Sequence, residues 1–152
     1  MKILIIEDDP NKSKQIVDFT SKIFPEFNFE LKKSYQSGLK EILKHTYDVL
    51  LLDMQLPNFD IKPGEDGYKF RKLAGFDILR EIKRKNIKSK VIVVTQFETF
   101  GEGESYIELN GLKEKLNDQF STLYIDTVFY SADKSIWQKE LKNIIEKKII
   151  NK

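Results

Sequence analysis

The sequence predicts an α/β domain: a doubly wound parallel sheet with helices on both faces. Two observations carry this. Three runs of four residues, Ile3–Ile6, Val49–Leu52 and Val91–Val94, hold no polar residue, the pattern of strands covered on both sides. The segments between them space their apolar residues at helical period, and such alternation builds right-handed βαβ units.

The elements follow in order. Ile3–Ile6 is the first strand. Asp9 suits the cap of the next helix and Pro10 its first turn. Across Asn11–Phe24, the residues Ile16, Phe19 and Ile23, with Val17 and Phe24 beside them, form an apolar stripe, and Pro25 closes the segment. Asn28–Lys32 reads as a short strand. Ser37–Lys44 sets Leu39, Ile42 and Leu43 on one helical face. After the strand Val49–Leu52, the stretch Phe76–Lys85 places Phe76, Leu79 and Ile82 opposite its Lys and Arg residues. Beyond Val91–Val94 a helix is expected around Ile107–Phe120. The last helix, Ile136–Ile150, carries Ile136, Leu141, Ile144, Ile145 and Ile149. Two segments resist the pattern: Asn58–Ala74, with Pro63, Gly64 and Gly67, and the loop Glu98–Ser105. Both sit between elements of one sheet, so residues 1–152 read as a single domain.

Composition narrows the function. The chain has 152 residues, 40% hydrophobic and 12% aromatic, which argues against long disorder. It has no cysteine, which excludes a disulfide scaffold, a thiolate metal site and a cysteine nucleophile. One histidine, His45, reads as a surface residue and speaks against a His-rich zinc site or a Ser-His-Asp triad. A net charge of +2, from 26 basic and 24 acidic residues, does not suggest a nucleic-acid partner. The apolar run after Lys2 is too short for a signal peptide or a membrane span, so a cytoplasmic location is expected. Gly101–Ser105 lacks the Gly-Lys-Ser/Thr ending of a phosphate loop. Lys147–Lys152 reads as a solvated face. Trp137 is expected to pack under the last helix or at its edge.

The chemistry gathers where the apolar runs stop. They end in Glu7-Asp8-Asp9, in Asp53 and in Thr95. In a parallel sheet these are all carboxyl ends, on the edge where open α/β sheets bind ligands. Carboxylates crowded together raise one another's pKa, and a hard divalent cation with oxygen ligands, Mg²⁺, relieves that repulsion. Glu7, Asp8 and Asp9 also suit the start of the following helix. Asp53 favours the site, because its strand has no other reason to end in a buried carboxylate.

Five segments in order resemble the response-regulator receiver family. Lys2-Ile3-Leu4-Ile5-Ile6-Glu7-Asp8-Asp9-Pro10 resembles its opening, and Asp48-Val49-Leu50-Leu51-Leu52-Asp53-Met54-Gln55-Leu56-Pro57 its phosphoacceptor segment. Ala74–Ile82 is similar to the start of its third helix, Val91-Ile92-Val93-Val94-Thr95 to its fourth strand and switch threonine, and Lys134, seven residues before Leu141, to its lysine after strand five. The resemblance implies a flavodoxin-like five-stranded sheet of order 2-1-3-4-5. It implies that Asp53 accepts a phosphoryl group from a phosphohistidine on a histidine kinase or phosphotransfer partner. Asp8, Asp53 and the backbone carbonyl of Gln55 would hold Mg²⁺, with Glu7 acting through water. Thr95 and Lys134 would bind the phosphoryl oxygens, and Gln55 and Phe97 would tune self-dephosphorylation.

The sequence departs from that family in several places. Asp53 to Gly75 spans 22 positions and Thr95 to Lys134 spans 39, longer than the family's pattern, so insertions are expected at about 58–74 and 98–118. Ser135 stands where the family has proline, Ser131 at the aromatic switch position and Gln96 where a small residue is common; Tyr130 or Phe129 would substitute if the fifth strand is displaced. With no output domain expected, a stand-alone receiver would signal by protein contact. The alternatives are a receiver-derived interaction module working without phosphorylation and an aspartyl-phosphate phosphatase. Gln55 speaks against the last, because it stands where such enzymes carry a second aspartate. The residues leave open whether phosphorylation makes a homodimer.

Overall fold

A computed structural model describes residues 1–61, 70–71 and 73–151 of the chain. The elements run β1 (Lys2–Ile6), α1 (Pro10–Ile23), β2 (Asn28–Lys32), α2 (Tyr35–Lys44), β3 (Val49–Leu52), β4 (Leu56–Pro57), β5 (Phe70–Arg71), α3 (Ala74–Arg84), β6 (Lys90–Thr95), β7 (Thr99–Phe100), β8 (Ile107–Glu108), α4 (Leu109–Gln119), β9 (Tyr124–Phe129) and α5 (Ile136–Ile144). A 3₁₀ turn at Gly103–Ser105 precedes β8, and α5 continues as a π-helical turn over Ile145–Ile150.

Five strands form one parallel sheet in the order β2-β1-β3-β6-β9. Counting only those strands, this is the order 2-1-3-4-5. Alternate residues of each apolar run enter opposite cores. Leu4, Ile6, Leu50, Leu52, Val91 and Val93 pack with side chains from α2, α3 and α4. Ile3, Ile5, Val49, Leu51, Ile92 and Val94 pack with side chains from α1 and α5. Every one of these is at most 2% exposed, which explains why the runs hold no polar residue. Each such side chain contributes about 1.5–3 kcal/mol by leaving water.

The helix ends have identifiable causes. Asp9 caps α1 through its carboxylate, which accepts from the N–H groups of Asn11 (2.9 Å) and Lys12 (3.3 Å), and Pro10 takes the first helical position. Ser34 and Ser37 form a reciprocal capping box on α2. That helix therefore starts at Tyr35, two residues before the apolar stripe indicates. Trp137 is buried under α5, edge-on to Phe19 of α1 with centroids 5.4 Å apart.

The two irregular segments carry short antiparallel pairs, β4 with β5 and β7 with β8. Of the expected insertion at 58–74, residues 62–69 and 72, including Pro63, Gly64 and Gly67, lie outside the described residues. The second expected insertion, 98–118, divides in two. Its first part is the β7–β8 hairpin. Its remainder is α4, the crossover helix between β6 and β9, whose Leu112 and Leu116 are fully buried. The helix expected around Ile107–Phe120 thus begins at Leu109, because Ile107 and Glu108 pair with Phe100 and Thr99.

Strand β9 holds one residue too many. Val91 pairs with Tyr124 but Ile92 pairs with Asp126, so Ile125 is a bulge. Tyr124 and Val128 are four residues apart and would share a face of a regular strand, yet Tyr124 packs with the α2–α4 side and Val128 with the α1–α5 side.

Helix α3 presses its first turn onto the end of β3. The Gly75 N–H donates to the Met54 carbonyl (3.1 Å). A methyl group at Gly75 would collide with Met54 Cε and stand 2.9 Å from the Asp53 carbonyl oxygen. Because one of those atoms is backbone, Gly75→Ala is expected to destabilise the fold by about 1–3 kcal/mol. Urea unfolding checks this, a lower midpoint at unchanged slope being the expected result.

Candidate functional site

Strand register assembles the site. Ile6 pairs with Leu52, and Leu52 with Val93, so Glu7, Asp53 and Thr95 leave neighbouring strands on the same edge. The Asp53 N–H donates to the Ile6 carbonyl (3.2 Å). Beyond these ends opens a cleft of about 270 Å³ lined by Asp8, Asp9, Pro10, Asp53, Gln55, Gln96 and Phe97. Carboxylate oxygens of Glu7, Asp8 and Asp53 lie within 4.8 Å of one another. Glu7 and Asp53 are each 2% exposed. Such a set of hard oxygen donors fits Mg²⁺ by donor type and spacing.

A buried cation completes the cluster. Lys12, on the first turn of α1, is fully buried. Its Nζ lies 2.5 Å from Glu7 Oε2 and 3.4 Å from Asp53 Oδ2. It also donates to the carbonyl of Val94 (2.9 Å) and to Gln96 Oε1 (2.7 Å). A cation in the first turn opposes the helix dipole, so the carboxylates outweigh that penalty. Burial lifts Asp53 from the usual carboxylate range to about 8, with the Glu7 charge adding to the rise and the Lys12 ammonium opposing it. Asp8 is lifted to about 7, first by burial, then by the charge of Glu7 and a hydrogen bond with it. Asp53 Oδ1 accepts the N–H of Met54 (2.7 Å).

Glu7, Asp8 and Asp53 therefore come together, and Gln55 lines the same cleft. Thr95 is buried at the end of β6, where its hydroxyl oxygen accepts the N–H of Phe97 (3.1 Å). Lys134 is not joined to this group. It is exposed in the turn between β9 and α5, where its own N–H donates to the Ser131 carbonyl (3.3 Å). No ion pair or hydrogen bond joins it to Asp53 among the described residues. The ammonium beside Asp53 belongs to Lys12, which the sequence reading passed over. The signal was present: Lys12 stands four residues before Ile16, on the apolar stripe of α1. At Ser131 the switch position holds no aromatic. Its neighbour Tyr130 is buried on the α1–α5 side, its ring 5.2 Å from Trp137 and its hydroxyl donating to Gln15 (2.7 Å).

A doubly wound sheet of this order, with paired acids and an aspartate at its carboxyl edge, defines a receiver-type domain. The chain belongs to the response-regulator receiver family, whose family model matches residues 3–113. It is 33% identical over 144 residues to the uncharacterized protein y4jR of Sinorhizobium fredii, covering 94% of this chain and 95% of that one. It is 29% identical to the Detocs response regulatory protein DtcB of Enterobacter cloacae, covering 96% and 99%. Among solved structures, its fold is similar to a CheY-like receiver domain from Methanospirillum hungatei (TM-score 0.61, 20% identity, covering 99% and 94%). It is also similar to the response regulator TrrA of Thermotoga maritima in complex with Mg²⁺-BeF (TM-score 0.58, 16% identity, covering 94% and 97%).

The raised pKa of Asp53 carries a pH signature. The folded protein holds a proton there between about pH 4 and about pH 8 that the unfolded chain has already released, so this contribution to stability is lost as pH rises through that window. The Tm of Asp53→Asn relative to that of the wild type is therefore expected to rise from about pH 5 to about pH 8 in Mg²⁺-free buffer. Each kcal/mol corresponds to about 2–4 °C in a chain of this size. Calorimetry of both proteins across that range checks it, and a constant difference would contradict the raised pKa.

Proposed function

We propose that the protein is a response-regulator receiver that accepts a phosphoryl group on Asp53 from a histidine kinase or phosphotransfer protein and signals by protein–protein contact in the cytoplasm. The observation that supports this most directly is the buried Asp53 at the floor of an acidic cleft, grouped with Glu7 and Asp8. A carboxylate oxygen of Asp53 attacks phosphorus, the phosphorus–nitrogen bond of the phosphohistidine breaks, and the imidazole leaves with the bonding pair. The Met54 N–H on Oδ1 and the Lys12 ammonium facing Oδ2 orient the carboxylate and favour its ionised, nucleophilic form. Asp8, Asp53 and the Gln55 carbonyl would hold Mg²⁺, with Glu7 acting through water; the ion supplies charge against that of the phosphoryl oxygens. Thr95 keeps an O–H to donate to the phosphoryl group, and Phe97 at the cleft wall limits water's approach to it. The likeness to a response regulatory protein supports a regulatory role.

One observation favours a second reading, an interaction module that works without phosphorylation. The Lys12 ammonium already engages oxygens of Glu7 and Asp53 that a metal ion would use. Incubation with acetyl phosphate, with and without Mg²⁺, separates the two. Intact mass is expected to show one added phosphoryl group that requires Mg²⁺ and is absent from Asp53→Asn. No added mass after fast quenching, with no beryllofluoride binding, would favour the second reading.

A further inference from the structure

Lys12 has four acceptors around it and three protons to give. The nearest are Glu7 Oε2 at 2.5 Å, Gln96 Oε1 at 2.7 Å and the Val94 carbonyl at 2.9 Å; Asp53 Oδ2 is the farthest at 3.4 Å. A phosphoryl group on Asp53 would bring about −1.5 to −2 charge into the cleft, and charge-assisted hydrogen bonds are about twice as strong as neutral ones. One of the present partners must then yield. Glu7 is charged and buried. Val94 is buried, so its carbonyl has no water to turn to. Gln96 is neutral and half-buried, and its amide can be hydrated in place. Gln96 is the partner that Lys12 gives up.

Gln96 opens the connection into the β7–β8 hairpin. One residue on, the Phe97 N–H rests on the Thr95 hydroxyl. Two residues on, the Glu98 carbonyl accepts the N–H of Leu109 (2.9 Å), the first residue of α4. Of the two aromatics that could stand at the switch position, Tyr130 is held against Trp137 and Gln15, with the Lys12 ammonium 5.7 Å from its ring, while Phe129 lines a cavity with Glu98, Thr99 and Leu109. Taking Asp53 as the phosphoacceptor, we propose that Lys12 binds the aspartyl phosphate in the role expected of a lysine after β9, and that its release of Gln96 loosens residues 96–98 and the start of α4. The output surface would then be the β7–β8 hairpin and the α4 N-terminus.

Amide hydrogen exchange tests this on wild type, Gln96→Ala and Lys134→Ala, each with and without acetyl phosphate and Mg²⁺, with phosphoryl content read by intact mass. Peptides over residues 97–109 are expected to exchange about two- to tenfold faster in the phosphorylated wild type, the range that one lost hydrogen bond gives. Gln96→Ala should exchange faster there before phosphorylation, with no further change after it. Lys12 is the only fully buried lysine among the described residues, so ¹⁵Nζ spectra of labelled lysine give a second readout that leaves the cluster intact. One water-protected ammonium signal should shift on beryllofluoride binding, in wild type and in Lys134→Ala alike. Phosphorylated wild type with unchanged exchange over 97–109 would overturn the release of Gln96. Loss of phosphorylation in Lys134→Ala, or a protected signal that stays fixed, would overturn the assignment to Lys12. A wild type that takes up no phosphoryl group would instead overturn the function on which the inference rests.

Discussion

The ion cluster of Lys12, Glu7 and Asp53 is the constraint around which the rest of this molecule is arranged. A carboxylate without a partner at the end of a buried strand is far too costly to keep. Here the Lys12 ammonium lies against both, pairing with Glu7 and opposing the rise that burial imposes on Asp53, and it also donates to a backbone carbonyl and a side-chain amide. To deliver that charge, α1 must start within a turn of the end of β1. The Asp9 cap and Pro10 enforce that start. The cluster also ties α1 to the end of β6 through Val94, so the carboxyl edge of three strands and the first turn of a helix behave as one electrostatic unit. Buried ion pairs are weak contributors to net stability but exacting about geometry. That suits a site whose use depends on where charges sit.

The two faces of the sheet have different duties. The α1–α5 side is aromatic and fixed: Phe19, Tyr130 and Trp137 interlock, and the Tyr130 hydroxyl finds Gln15. The α2–α4 side is where the chain departs from the shortest path between strands, through the arms β4–β5 and β7–β8. Both arms leave strand ends beside the cleft.

Much of this was legible in the sequence. Uninterrupted four-residue apolar runs between helical segments suit strands buried on both faces, so the sheet, its order and the carboxyl-edge position of Glu7, Asp8 and Asp53 follow from pattern and resemblance. Helix α1 was legible to its capping residue. What escaped has a common cause, since it depends on contacts between distant residues. Lys12 reads as the polar start of an amphipathic helix until β3 and β6 bring Asp53 and Val94 to it. The start of α2 at Tyr35 depends on a serine pair acting reciprocally. The segment 98–108 reads as a loop because two-residue strands carry no periodicity. Lys134 was placed by its distance from Leu141, a spacing along the chain that says nothing of which way its side chain extends.

Strand β9 is not regular, and its bulge reaches further than the sheet. Side chains on a strand alternate between two faces, so one extra residue at Ile125 exchanges the addresses of everything that follows until the chain turns. Tyr130 is delivered to the α1–α5 layer by parity. A difference in length of a single residue, with no change in the identity of any side chain, is thus enough to change which layer the end of a strand packs into. In folds of this kind, counting residues within a strand is as informative about which groups meet as knowing what those residues are.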